Sequence, residues 1–333
     1  MLRALLERWV LVTCLFLLAA CHYRSDELPA TATVRSASVI AHPAPLAALD
    51  SADPALSANK RLVFDLWRSI VNAGHVEMAD HMLAEHYIQH SPVLPTGREA
   101  FKTIFSAVPR RDIPLLVEPP LVHSVAEGDL VVMSLLESIA AANGVPAYTT
   151  THFNLFRIED GRLAEHWHSV QTPPGPAVPL PSQGGPQPVT GATDRAQIAL
   201  LGSPDAGLAA NKRLVYDMWR EVVDAGQVKL ADRYIDSGFM ERSAAAAGGE
   251  DFNARHSRPA RPVEPAIGAP VVAVVAEGDL VVLVTMREHP HPVRNGLTYT
   301  TTWFDMFRIV DGRIIEHWDP ALPGSAGAGS FRP

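Results

Sequence analysis

The chain is predicted to be α+β, built as two tandem domains in which N-terminal helices pack on a curved antiparallel sheet. Two observations predict this: a long internal repeat, and within each copy a helical pattern followed by short alternating strands split by tight turns. Residues 59–68, opening Asn59-Lys60-Arg61-Leu62, return at 211–220 as Asn211-Lys212-Arg213-Leu214. Residues 126–132 return unchanged at 276–282, and residues 148–167 return at 299–318 with their Asp-Gly-Arg turn. The offset stays between 150 and 152 in all three blocks, which marks a duplication. A length of 333 residues agrees with two domains.

Each element follows from local pattern. Leu62, Val63, Leu66, Trp67, Ile70 and Val71 form one helical stripe closed by Gly74, and residues 214–223 repeat it before Gly226. A second helix is expected over 76–85 and 228–234. Four apolar runs follow at 115–125, 130–139, 148–158 and 162–171, separated by Gly128-Asp129, Asn143-Gly144 and Asp160-Gly161. Such short turns make hairpins, hence an antiparallel meander. Residues 97–105 read as a third helix that caps the sheet. Their counterpart, 248–256, carries Arg255 and His256 in place of Ile104 and Phe105, and Pro259, Pro262, Pro265 and Pro270 follow, so this cap is expected to be lost.

The flanks carry address and spacer signals. Arg3 and Arg8 precede an apolar run over 9–20, too short for a stable membrane span but of signal-peptide form. It ends in Leu18-Ala19-Ala20-Cys21, which resembles a bacterial lipobox with Cys21 as the acylated thiol; an ordinary secreted protein cut near Ala20 is the alternative. The lipobox reading implies an envelope lipoprotein, with His22 at the second mature position leaning toward the outer membrane and a periplasmic face. Residues 21–55 and 172–209 hold 12 of the 28 prolines and no sustained periodicity, so they read as a flexible tether and a linker. The expected layout is a signal peptide (1–20), tether (21–55), first domain (56–171), linker (172–209), second domain (210–320) and tail (321–333). A net charge of −8 argues against nucleic-acid binding, which needs clustered Lys and Arg. Two cysteines make neither a disulfide framework nor a zinc site.

Trp67, the run Tyr87-Ile88-Gln89-His90-Ser91-Pro92, and the hairpin from Phe153 through Asp160-Gly161 to Glu165-His166-Trp167 together resemble the SnoaL-like polyketide cyclases of the nuclear transport factor 2-like superfamily. The resemblance implies a cone-shaped α+β barrel enclosing an apolar pocket. It also implies general acid-base chemistry by a last-strand carboxylate helped by a histidine. A carboxylate among apolar walls has its pKa raised, so it can take a proton α to a carbonyl and return it. Asp319, in Glu316-His317-Trp318-Asp319, matches that acid; the first copy has His168 there. The upstream histidine is His90 in the first copy and Arg242 in the second. The resemblance therefore assigns His90, His168 and Asp319 as catalytic candidates.

With Asp160-Gly161 as a two-residue turn, alternation places His166, His168, Phe153 and Leu155 on one face, provided no bulge intervenes. The equivalent set is His317 and Asp319 with Phe304 and Met306. This face is the expected ligand wall, and the expected ligand is a small hydrophobic carbonyl compound. His166 and His168 look like two legs of a metal site but no third ligand has motif spacing, so neither metal nor cofactor is expected. The competing class is a non-catalytic binding or interaction module, with the two copies forming a covalent pseudo-dimer.

Overall fold

The computed structural model describes residues 35–141, 145–169, 173–175, 177–245 and 258–322. The signal peptide, Cys21, most of the tail, the Asn143-Gly144 turn and the counterpart of the third helix at 248–256 lie outside the described residues. Among the described residues no helix is long and apolar enough to cross a membrane.

In the first repeat α1 (Pro54–Leu66) starts where Asp53 accepts the amide of Ala55 and Pro54 fills the first turn. It widens into a π-turn over Trp67–Val71 and stops at Gly74, whose φ is +71°. A Cβ there would lie 2.4 Å from the Val108 carbonyl oxygen, so only glycine fits. The second helix is shorter than expected: α2 (Ala79–Met82) gives way to a strand, β2 (Leu83–Gln89). The cap, α3 (Arg98–Phe105), follows. Then come β3 (Leu121–Glu127), β4 (Leu130–Ile139), β5 (Tyr148–Glu159) and β6 (Arg162–His168). The meander is antiparallel as expected, and β2 adds to its β6 edge in parallel, giving the order β2-β6-β5-β4-β3.

The second repeat reproduces this with α4 (Ala206–Met218), β7 (Ile235–Glu241), β8 (Val271–Glu277), β9 (Leu280–Pro290), β10 (Thr298–Val310) and β11 (Arg313–Trp318). Its sheet order is β7-β11-β10-β9-β8, extended by the two-residue β1 (Arg35–Ser36) paired to β7. Asp160-Gly161 and Asp311-Gly312 make the hairpin turns, with φ near +50° and +70° in both copies.

Each sheet buries both faces. Inward, Met133, Leu135 and Phe156 pack on Phe64, Leu66 and Ile70 of the first helix, and Leu283, Phe307 and Ile314 pack on Tyr216, Met218 and Trp219 in the second copy. Outward, Val125, Val132, Phe153, Leu155 and Trp167 meet Val275, Val282, Phe304, Met306 and Trp318 of the other repeat. Phe153 and Phe304 stack with centroids 5.4 Å apart and planes 4° from parallel. The polar contacts beside this apolar layer are reciprocal. Lys60 Nζ bonds Glu277 at 2.8 Å and Lys212 Nζ bonds Glu127 at 2.8 Å. Each glutamate also accepts a backbone amide from the opposite repeat, Ala126 to Glu277 and Ala276 to Glu127.

Where they are described, the proline-rich segments are tied to the sheets by hydrogen bonds. Each crosses to the other repeat: Ala37 donates its amide to Glu241, and Gln187 donates to Gln89. Each then returns to its own sheet, Val39 to Thr149 Oγ1 and Val189 to Thr300 Oγ1. Residues Asp194–Leu201 form 3-10 turns that bury Gln197 and Leu201, and Tyr216 donates its hydroxyl to Gln197.

Candidate functional site

The strand faces follow from a bulge. Asp160-Gly161 sets Glu159 opposite Arg162, but a register shift between Arg157 and Ile158 inserts one residue, so Leu155 lies opposite Trp167, Phe156 opposite His166 and Asn154 opposite His168. The second repeat has the same shift between Arg308 and Ile309. One inserted residue exchanges faces. Phe153, Leu155, Phe304 and Met306 therefore belong to the layer between the repeats and not to a ligand wall, correcting the expectation. The concave face carries Asn154 and Phe156 with His166 and His168 in the first repeat, and Asp305 and Phe307 with His317 and Asp319 in the second.

Alternation along β2 splits the next three residues. Gln89 and Ser91 face inward: Gln89 Nε2 lies 3.0 Å from His166 Nδ1, and Ser91 Oγ lies 3.0 Å from His168 Nε2. His90 turns outward, where its Nε2 meets Glu165 at 3.0 Å, its ring stacks on Trp167 at 4.6 Å, and its Nδ1 reaches the carbonyl oxygens of Gln187 and Pro188. The expected His90–His168 pair is thus not assembled. His90 clasps the crossing segment, as Arg242 does in the second repeat through Glu316 and the Ser38 carbonyl. Arg157 and Arg308 pair with Glu165 and Glu316 on the neighbouring strand.

The same buried histidine sits in opposite electrostatic surroundings in the two repeats. His166 accepts from the Gln89 amide at Nδ1 and donates from Nε2 to Asn154 Oδ1 at 3.0 Å, which fixes a neutral tautomer. Burial, with His152 and His90 nearby, drives its pKa down to about 3. His317 has Glu241 on Nδ1 at 2.8 Å and Asp305 on Nε2 at 3.0 Å, so both nitrogens donate. Burial alone would lower its pKa, but the Glu241 charge and the bonds to both carboxylates outweigh it and push the value up to about 10. Asp305 is itself driven upward by burial, opposed by His317. Both carboxylates beside the imidazole are fully buried, and their charges favour its protonated form.

Asp319 is buried, and its Oδ1 accepts the amide of Ala321. Arg287 lies over the Trp303 ring at 3.5 Å, and burial brings its pKa down to about 10 against the pull of Asp305 and Asp319. One donor atom from each of Asp305, His317 and Asp319 falls within 4.8 Å of the others, a group able to hold a metal.

The first repeat keeps an opening. A cleft of about 340 Å³ is lined by Val93, Glu137, Tyr148, His152 and His168, and its rim includes Pro320 and Leu322 of the second repeat. Thr150 Oγ1 fixes that rim by donating to the Ala321 carbonyl at 3.0 Å. His152 lies 5.3 Å from His168 and 6.2 Å from Trp67 between ring centroids. Burial lowers the pKa of His168 well below its ordinary value and that of His152 in the same direction, although Glu137 opposes the second shift. Asn154 Nδ2 is buried without a hydrogen-bond partner.

Ser91, His152, Glu137, Gln89 and Asn154, with Glu241, Asp305 and Arg287, escaped the residue-level reading. A signal for two pairs was present: Gln89 aligns with Glu241 and Asn154 with Asp305 at the repeat offset, amide for carboxylate both times.

The SnoaL-like domain model matches residues 64–166, and the SnoaL-like polyketide cyclase model matches residues 213–321. No curated protein matches the chain. Among solved structures, a candidate SnoaL-like polyketide cyclase from Jannaschia sp. CCS1 is 17% identical over 37% of this chain and 91% of its own, with a TM-score of 0.28. An NTF2-like protein of unknown function from Mesorhizobium loti is 17% identical over 37% of this chain and 98% of its own, TM-score 0.28. TsrD from Streptomyces laurentii is 21% identical over 36% and 92%, TM-score 0.24. Both repeats are SnoaL-like domains, and the chain belongs to that family as a tandem pair.

Proposed function

We propose that the first repeat binds a compact, largely apolar carbonyl compound and moves a proton on it, as in cyclisation or isomerisation, through His168 and His152. The observation that carries this reading is the cleft of about 340 Å³, with both imidazoles on its wall and an apolar rim from the second repeat. Lowered pKa values leave both rings neutral at pH 7, so either can accept a proton from carbon. Asn154 Nδ2, the unpartnered donor on the same face, suits a developing oxyanion, and Ser91 Oγ holds His168 in orientation. The second repeat's Asp319, the family's acid, supports this role less well, because it is buried beside Asp305 and His317.

A non-catalytic reading is favoured by the outward turn of His90 and by the missing carboxylate at position 168. One experiment separates the two. Titration with small aromatic and aliphatic ketones, followed by the fluorescence of Trp67 beside His152, is expected to show saturable binding that a bulky Val93→Trp change blocks. Turnover lost in His152→Ala/His168→Ala with binding kept supports the enzyme; binding without turnover in the parent supports the module; no binding overturns both.

We further propose that the repeats act as a covalent pseudo-dimer; the reciprocal Lys60–Glu277 and Lys212–Glu127 pairs and the Phe153–Phe304 stack support it. Acylation of Cys21, placing the protein on the outer membrane facing the periplasm, rests on the Leu18-Ala19-Ala20-Cys21 pattern. Labelled palmitate should enter the parent and not Cys21→Ala; equal labelling would sink the anchor.

A further inference from the structure

We propose that the second repeat holds one divalent transition-metal ion on Asp305, His317 and Asp319, with Glu241 orienting the imidazole. The three residues are no more than 1% exposed, and their donor atoms already lie within 4.8 Å of one another. Bonds of about 2.1 Å to one ion would place such donors roughly 3–4 Å apart, so small side-chain turns complete the set. A separate observation points to a cation: Asp305 Oδ2 is buried with no hydrogen-bond partner. Glu241 Oε1 on His317 Nδ1, at 2.8 Å, is the carboxylate–histidine relay that fixes ligand tautomers in metal proteins, leaving Nε2 as the ligand atom. Two oxygens and one imidazole nitrogen suit Zn²⁺ or Mn²⁺.

The first repeat is the internal control. It sets Gln89, Asn154 and His168 at the equivalent positions, removing every carboxylate while keeping the central histidine. Arg287 is the opposing feature, since its guanidinium lies in the field of Asp305 and Asp319.

The test uses the whole protein, stripped with EDTA, then titrated separately with Zn²⁺ and Mn²⁺ and assayed by calorimetry and elemental analysis after gel filtration. One ion per chain is expected, with at least a tenfold loss of affinity in Asp305→Asn and no change in His152→Ala/His168→Ala. No uptake of either ion at micromolar concentration, or uptake unchanged in Asp305→Asn, would overturn the site. Should Asp305→Asn fail to fold, the histidine ¹⁵N spectrum of the parent decides. A Zn²⁺-induced shift at His317 Nε2 supports the proposal, and a shift only at His166 or His168 refutes it.

Discussion

Converting the second repeat's histidine site into the first repeat's, by Glu241→Gln with Asp305→Asn, isolates what the two carboxylates do. Raising the His317 pKa from 6.5 to about 10 corresponds to on the order of 5 kcal/mol favouring its proton. Most of that is offset by desolvating two carboxylates, and neutral isosteres of buried ion pairs often cost little. The double variant should therefore lose no more than about 2 kcal/mol, because Gln89, His166 and Asn154 already show that the amide geometry closes. Asp305→Ala alone leaves an unequal set of buried charges and should cost about 3–5 kcal/mol. The sign with pH is fixed. A raised pKa stabilises fully below the unfolded value near 6.5, and that stability is lost as pH rises through about 10. The parent's advantage over the double variant should therefore shrink across that window and reverse sign before pH 10. Urea unfolding of EDTA-treated protein from pH 6 to 10 measures it. A double variant as damaged as Asp305→Ala, or a parent advantage that grows with pH, would refute the reasoning.

The first repeat should be acid-labile. His166 is held near 3, so between pH 6.5 and 3 the unfolded chain binds a proton there that the native state does not, and this group alone lowers stability by roughly 1.4 kcal/mol per pH unit, with His168 and His152 adding in the same direction. Denaturant unfolding as a function of pH, followed by circular dichroism, should show the summed slope, and His166→Gln should reduce it by about the share of one group. Phe153→Ala, in the layer between the repeats, should cost about 3–5 kcal/mol without changing ligand affinity; weakened ligand binding at unchanged fold would return Phe153 to the pocket wall. Glu277→Ala strands buried Lys60 and should destabilise by about 3–5 kcal/mol, whereas Lys60→Met with Glu277→Met should cost much less, as denaturant midpoints will show.

What could be read from sequence was local or repeated. The stops at Gly74 and Gly226 and the Asp-Gly hairpins follow from turn and cap chemistry within a few residues, and the duplication follows from matching blocks. The hidden part is non-local. A one-residue bulge at Ala164 and at Ile315 has no sequence marker, yet it puts Phe153, Leu155, Phe304 and Met306 in the inter-repeat layer instead of the cavity. From sequence His90 reads as a pocket base, because its partner, the crossing segment at Gln187 and Pro188, lies about a hundred residues away and reads as a proline linker. His166 and His168 share one face, since the shift leaves their i, i+2 spacing intact.

One fold carries the same histidine in opposite charge states, neutral in the first repeat and cationic in the second. Histidine ¹⁵N spectroscopy of EDTA-treated protein at pH 7 reads both rings directly. His317 should show two protonated nitrogens, and His166 one protonated and one bare. Two neutral rings, or two cationic ones, would overturn the opposition.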